Sequence, residues 1–327
     1  MRSIVEDLTW LVAILIQRMR QFFTSIAVVF QMISFGQTYE YVYKNQKDSS
    51  YNCYLKVIPD SKEIKGLVVR DFSALPDTTK ASPYQFTSLC TEKGIMIIYT
   101  VSSTYFPELF VSDTVISVLD DLVAEVIKEY NIPENNIFVG GISASGTRAL
   151  RYAQYCEQGK SKNNVRIKGV FSVDSPLDLA RFYHSVHNNK ENFKEGMLWE
   201  ANLMTKVFAE LFNEGPNANP EKYKTASVFT HFDSNGGNAV HLKNVDIILY
   251  HEPDIEWWLN ERGSSYFDFN SYDIAAFALK LRQLGNKNVT LITTTNKGFD
   301  RQGNRNCHSW TIVDENELVD WIFDRIE

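Results

Sequence analysis

Apolar positions along the chain fall into short runs and longer periodic stretches that alternate from about residue 39 to the end. Tyr39 to Tyr43 and Tyr51 to Val57 predict two strands, divided by the polar turn Asn45 to Ser50. Gly66 to Val69 and Ile95 to Tyr99 are compact apolar runs of the kind buried on both faces, with a helix between them around Tyr84 to Cys90. From Asp113 the positions Val115, Leu119, Leu122, Val126 and Tyr130 trace a long amphipathic helix, with an exit loop at Asn131 to Asn136. A strand through Ile137, Phe138 and Val139 follows, then a helix with an apolar face of Ala149, Leu150, Ala153 and Cys156.

Beyond it the pattern predicts strands at Lys168 to Val173, Val245 to Tyr250 and Val289 to Thr293. Helices run through Ile274, Phe277, Ala278 and Leu281, and through Leu318, Val319, Ile322 and Ile326. Strands alternating with helices imply a mostly parallel α/β sheet covered on both faces, with ligands at the carboxyl ends of the strands. The stretch from about 182 to 240 carries no strand pattern. An insertion of that length between two core strands is expected to form a helical cap over the site, the plainer alternative being packing decoration.

The junction NIFVGGISASGTRAL places Ser143 between the buried strand and its helix, among the small residues Gly141, Ala144, Ser145 and Gly146. A phosphate loop needs a lysine before Thr147, and none is present. The remaining reading beyond an ordinary turn is a nucleophile elbow, G-x-S-x-G, with Ser145 at the final glycine position. An elbow requires the order serine, acid, histidine. Of six histidines only His308 lies beyond the segment IILYHEPDIEWW, in the loop between the last strand and the last helix. Asp254, held near a strand end by Pro253, is the expected acid. Glu252 and Glu256 flank it, and Asp174 in VDSPLD, one strand earlier, is a further candidate acid that reads more simply as a turn residue. The expected oxyanion donors are the N–H of Ala144 and one from RDFSALPD, at Phe72 or Ser73. Trp257, Trp258 and Trp310 read as core, with pocket wall as the sharper alternative.

The 327 residues carry a net charge of −7 and are 44% hydrophobic, so a substantial core is available and no basic stripe exists for nucleic acid. The first 36 residues contain two apolar runs broken by Gln17 to Gln21, neither long enough to span a bilayer comfortably. From Met19, MRQFFTSIAVVFQMISFGQ has the layout of a secretory signal, with cleavage expected near Gly36. That reading makes the mature protein (37–327) secreted or periplasmic, without stable membrane insertion; an N-terminal anchor is the alternative. Cys53, Cys90, Cys156 and Cys307 show neither a CxxC pair nor a zinc-ligand spacing.

GGISASG after a strand, EPD after a later strand and His308 before a C-terminal helix together resemble the α/β-hydrolase superfamily. Within it, NNIFVGGISASG and HSWTIVDENELVDWI are similar to secreted bacterial hydrolases related to feruloyl esterases, polyhydroxyalkanoate depolymerases and prolyl-oligopeptidase-type catalytic domains. The resemblance implies a serine hydrolase without metal or organic cofactor, acting on a small-molecule or polymeric ester. An amide-cleaving peptidase is the enzymatic alternative, and a non-catalytic binding protein on the same fold is the other.

Overall fold

A computed structural model describes residues 37–327 apart from 46 and 81; the expected signal segment, Met19 to Gly36, lies outside the described residues. Eight strands form one sheet: β1 (Thr38–Tyr43), β2 (Cys53–Ile58), β3 (Gly66–Asp71), β4 (Ile95–Val101), β5 (Ile137–Ile142), β6 (Gly169–Val173), β7 (Asp246–His251) and β8 (Val289–Thr293). Their spatial order is β1-β2-β4-β3-β5-β6-β7-β8. The pairs β1/β2 and β2/β4 are antiparallel, and every other pair is parallel. The α/β, mostly parallel sheet expected from the alternation is therefore present.

Helices α1 (Phe86–Glu92), α2 (Asp113–Tyr130), α3 (Ala144–Glu157), α7 (Ser271–Gln283) and α8 (Glu315–Phe323) accompany the sheet. All seven residues of β4 are buried, as its unbroken apolar run requires. One core joins α2, α3 and α7 to the sheet through residues such as Leu119, Leu150 and Phe277. A second, holding Phe86, Phe171, Leu318 and Trp321, joins α1 and α8 to it.

Between β6 and β7 the chain forms α4 (Leu179–Asn188), α5 (Glu195–Phe212) and α6 (Pro220–Ala226). These helices share an apolar cluster of their own, with Phe182, Met204, Phe208 and Tyr223 at its centre. The buried Arg181 of α4 pairs with Asp273 of α7, Nε to Oδ1 at 3.0 Å, and its Nη1 donates to the Asp268 carbonyl at 3.0 Å. The insertion is thus tied to the loop that precedes α7. A charge pair this deeply buried is costly to break, by about 3–5 kcal/mol when one partner is removed.

Candidate active site

Ser143 sits between β5 and α3 with φ 56° and ψ −132°, a conformation that L residues seldom adopt. Holding a residue there costs of order 1–3 kcal/mol, which the surroundings must supply. They do so by close approach. A Cβ on Gly141 stands 2.6 Å from Cβ of Ser145, and one on Gly146 stands 2.1 Å from Oγ of Ser175 and 2.8 Å from the Gly141 carbonyl. Only glycine lets α3 start this near the sheet. The Ser143 N–H donates to the Val173 carbonyl at 2.9 Å, fixing the turn on β6. At the last motif position, Ser145 is buried and its hydroxyl donates to the Asp71 carbonyl, so this serine joins α3 to the end of β3.

His308 meets a carboxylate, but not the expected one. Its Nδ1 lies 2.5 Å from Oδ2 of Asp174, which is 2% exposed at the end of β6. The sheet register explains this. Ile142 pairs with Val173, so Asp174 stands beside Ser143 where the two strands end. Val173 pairs in turn with Tyr250, which leaves Asp254 four residues past the β7 position aligned with the β6 terminus. There Asp254 caps a short helical segment, accepting from the Trp257 N–H at 3.1 Å, and pairs with Nη2 of Arg305 at 2.9 Å. The expectation that Asp254 orients His308 is corrected: the imidazole's partner is Asp174.

Glu252 does not reach His308 either. It accepts from the N–H groups of Lys297 and Gly298 at 3.1 Å, from Oγ1 of Thr294 at 2.8 Å, and from Arg305. Glu252, Asp254 and Arg305 together fasten the loop that carries His308. Asn270, which sequence reasoning did not single out, donates through Nδ2 to the Asp174 carbonyl at 2.9 Å and so steadies the acid from α7's approach loop. Asp174 itself holds φ 42°.

Burial disfavours the charged imidazolium of His308, yet the hydrogen bond and charge of Asp174, with Glu200 adding to them, overcome it. The group is held above the ordinary histidine value of 6.5. With Nδ1 turned to Asp174, Nε2 is left to face the cavity that His308 and Ser143 both line. No direct hydrogen bond joins Ser143 to the imidazole, a contact that commonly tightens only around substrate.

Of the expected oxyanion donors, Ala144 and Ser73 line the cavity with N–H groups that donate to no described residue. Phe72 is corrected: its N–H donates to the Thr100 carbonyl at 2.8 Å, continuing the β3/β4 ladder past Asp71. The Ser73 loop rests on a buried pair, with Nε of Arg148 3.0 Å from Oδ2 of Asp71. Thr100 and Ser102 also donate to that carboxylate, and Arg148 Nη2 bonds the Asp71 carbonyl at 2.6 Å. Burial pushes the Asp71 carboxyl up, and Arg148 with these donors opposes the rise.

The cavity has a volume of about 620 Å³. Its apolar walls come from Phe72, Phe106 and Phe269, and from Met197, Trp199 and Met204 of α5. Trp258 lines it as well, whereas Trp257 packs beside Cys307 and Trp310 packs into the core under α1. All four cysteines are buried and free. Among the described residues no group of three His, Cys, Asp or Glu side chains is placed to hold a metal ion.

No protein-family model matches the chain, and no curated protein sequence does. Solved structures do. Carboxyl esterase 2 from the fungus Tuber melanosporum superposes with a TM-score of 0.58 at 12% identity, covering 90% of each chain. An esterase from Pyrobaculum calidifontis gives 0.54 at 15% identity, over 94% of this chain and 91% of that one. An esterase from Rhizomucor miehei gives 0.52 at 14% identity, over 89% and 82%. At such identities the likeness establishes a shared α/β-hydrolase fold.

Proposed function

We propose, from that fold and the site it carries, that the protein is a serine hydrolase that cleaves carboxylic esters through Ser143, His308 and Asp174. The observation that carries this reading is the Asp174–His308 bond at the wall of a cavity shared with a strained serine at a helix N-terminus. In the forward step Ser143 Oγ attacks the ester carbonyl carbon while its proton passes to Nε2 of His308. Asp174 keeps Nδ1 protonated and offsets the imidazolium charge. The carbonyl oxygen, now negative, is met by the N–H groups of Ala144 and Ser73 at the start of α3 and beyond β3. Collapse breaks the bond to the alcohol oxygen, which takes the proton from His308 and leaves. Water then repeats the sequence on the acyl-serine, restoring Ser143 and releasing the acid.

The ester reading draws on the apolar cavity and on the esterases with which the fold is shared. Wild type and Ser143→Ala are compared on short-chain aryl esters and on matched anilides. Ester turnover that vanishes in Ser143→Ala supports the assignment, and turnover that survives unchanged overturns it. Anilide cleavage as fast as ester cleavage favours the peptidase alternative. Export of the mature chain belongs to the same proposal and rests on the layout of residues 19–37.

A further inference from the structure

Five side chains lining the cavity can carry charge, and four of them are answered. Arg148 is committed to Asp71, and His308 to Asp174. The Asp268 carboxylate accepts from Ser185, Asn189 and Ser265. Arg262 stacks 4.8 Å from the Trp257 ring with Glu195 at 3.6 Å. The fifth is Glu200, half-buried on α5. It makes no hydrogen bond or ion pair with any described residue.

Nor can its own helix supply one. The positions three and four residues away, Gly196, Met197, Leu203 and Met204, are all non-polar, and all line the cavity with it. Glu200 therefore stands on the apolar stripe of α5, where a solvated carboxylate has no reason to be. Burial pushes its carboxyl up, Asp174 adds to the rise, and His308 and Arg181 counter it. The cavity that Glu200 lines is also walled by Trp199, Phe182, Trp258 and Phe269. A carboxylate and aromatic rings sharing one cavity is the combination that favours an organic cation, since a ring's face is negative.

We propose that Glu200 is a specificity-determining residue that binds a cationic nitrogen, as an ammonium or quaternary ammonium group, on the substrate. The reaction then favours cationic esters over neutral esters of the same shape. The ester part of this inference rests on the hydrolase reading; the cation site stands on the cavity alone.

The full chain is titrated by calorimetry with choline and with 3,3-dimethylbutan-1-ol, a neutral alcohol of the same shape. The butyrate esters of the two alcohols are then compared as substrates. Wild type binds choline about tenfold more tightly, and Glu200→Gln brings the two ligands within about threefold while Glu200→Asp retains part of the difference. Equal binding of the two alcohols by wild type overturns the proposal whatever the variants do. So does a preference for choline that is unchanged in Glu200→Gln. Turnover of both esters at equal rates with equal binding removes the cation site and leaves the hydrolase reading standing. A choline preference that depends on Glu200, with neither ester cleaved, does the reverse.

Discussion

Replacing Asp174 with asparagine keeps the shape of the side chain and removes the charge that faces His308. The carboxylate accepts from Nδ1 at 2.5 Å in a position 2% exposed to solvent, so water cannot take over its task. An amide can turn its NH₂ to Nδ1, which moves the ring proton to Nε2 and leaves no base for Ser143. In a serine-protease triad the equivalent change lowers kcat by about ten-thousand-fold. At about 1.36 kcal/mol per tenfold, that is about 5 kcal/mol of lost transition-state stabilisation. The contrasting variant is Asp254→Asn. Its carboxylate is 31% exposed, caps one helical turn and pairs with Arg305, itself 20% exposed. Asparagine still caps that turn, so the expected cost is that of a partly exposed ion pair, about 0–1 kcal/mol of stability, with turnover changed by less than tenfold. Steady-state kinetics on an aryl ester, paired with thermal melts, separates the two. An Asp174→Asn variant within tenfold of wild type, beside a crippled Asp254→Asn, refutes the register argument.

Four further outcomes can be measured. Because the active imidazole is neutral and its value is held above 6.5, kcat/KM should climb with pH through a midpoint above 6.5. Protonated His308 also stabilises the fold below the ordinary value of 6.5, and this contribution is lost as pH rises through the raised folded value. Melts across that window on wild type and Asp174→Asn measure the difference, which should shrink towards high pH. Gly146→Ala places a methyl 2.1 Å from Oγ of Ser175 and 2.8 Å from a backbone carbonyl, so about 1–3 kcal/mol is lost and the melting temperature falls by several degrees. N-terminal sequencing of exported protein should find a chain that starts near Gln37; one that starts near Met1 contradicts the signal reading.

The inner strands were legible because both faces of the sheet are covered there: β4, buried at every residue, is an apolar run broken by one threonine, whereas the edge strand β1 is exposed. Ser143 was legible because its turn demands glycine at Gly141 and Gly146. His308 was reached by chain order from Asp254, a premise the structure replaces, since all six histidines follow Asp174; what stands of that reasoning is its place between the last strand and the last helix. Asp174 was not legible. VDSPLD carries the local signal of a turn, and the residue does occupy a left-handed turn; its partnership with His308 depends on β6 lying beside β5, which only pairing reveals. Phe72 failed for a similar reason, since its N–H belongs to a ladder set by β4. Glu200 did leave a trace: a carboxylate three residues after Met197 and four before Met204 interrupts an apolar helix face.

The central claim is that Ser143 is a nucleophile activated by His308. It is tested most directly by treating the folded protein with a fluorophosphonate and mapping the modified residue by mass spectrometry. The account predicts a single adduct on Ser143, absent from Ser143→Ala and formed far more slowly in His308→Ala and Asp174→Asn. An adduct at another serine, or no adduct on wild-type protein whose fold is intact, contradicts it.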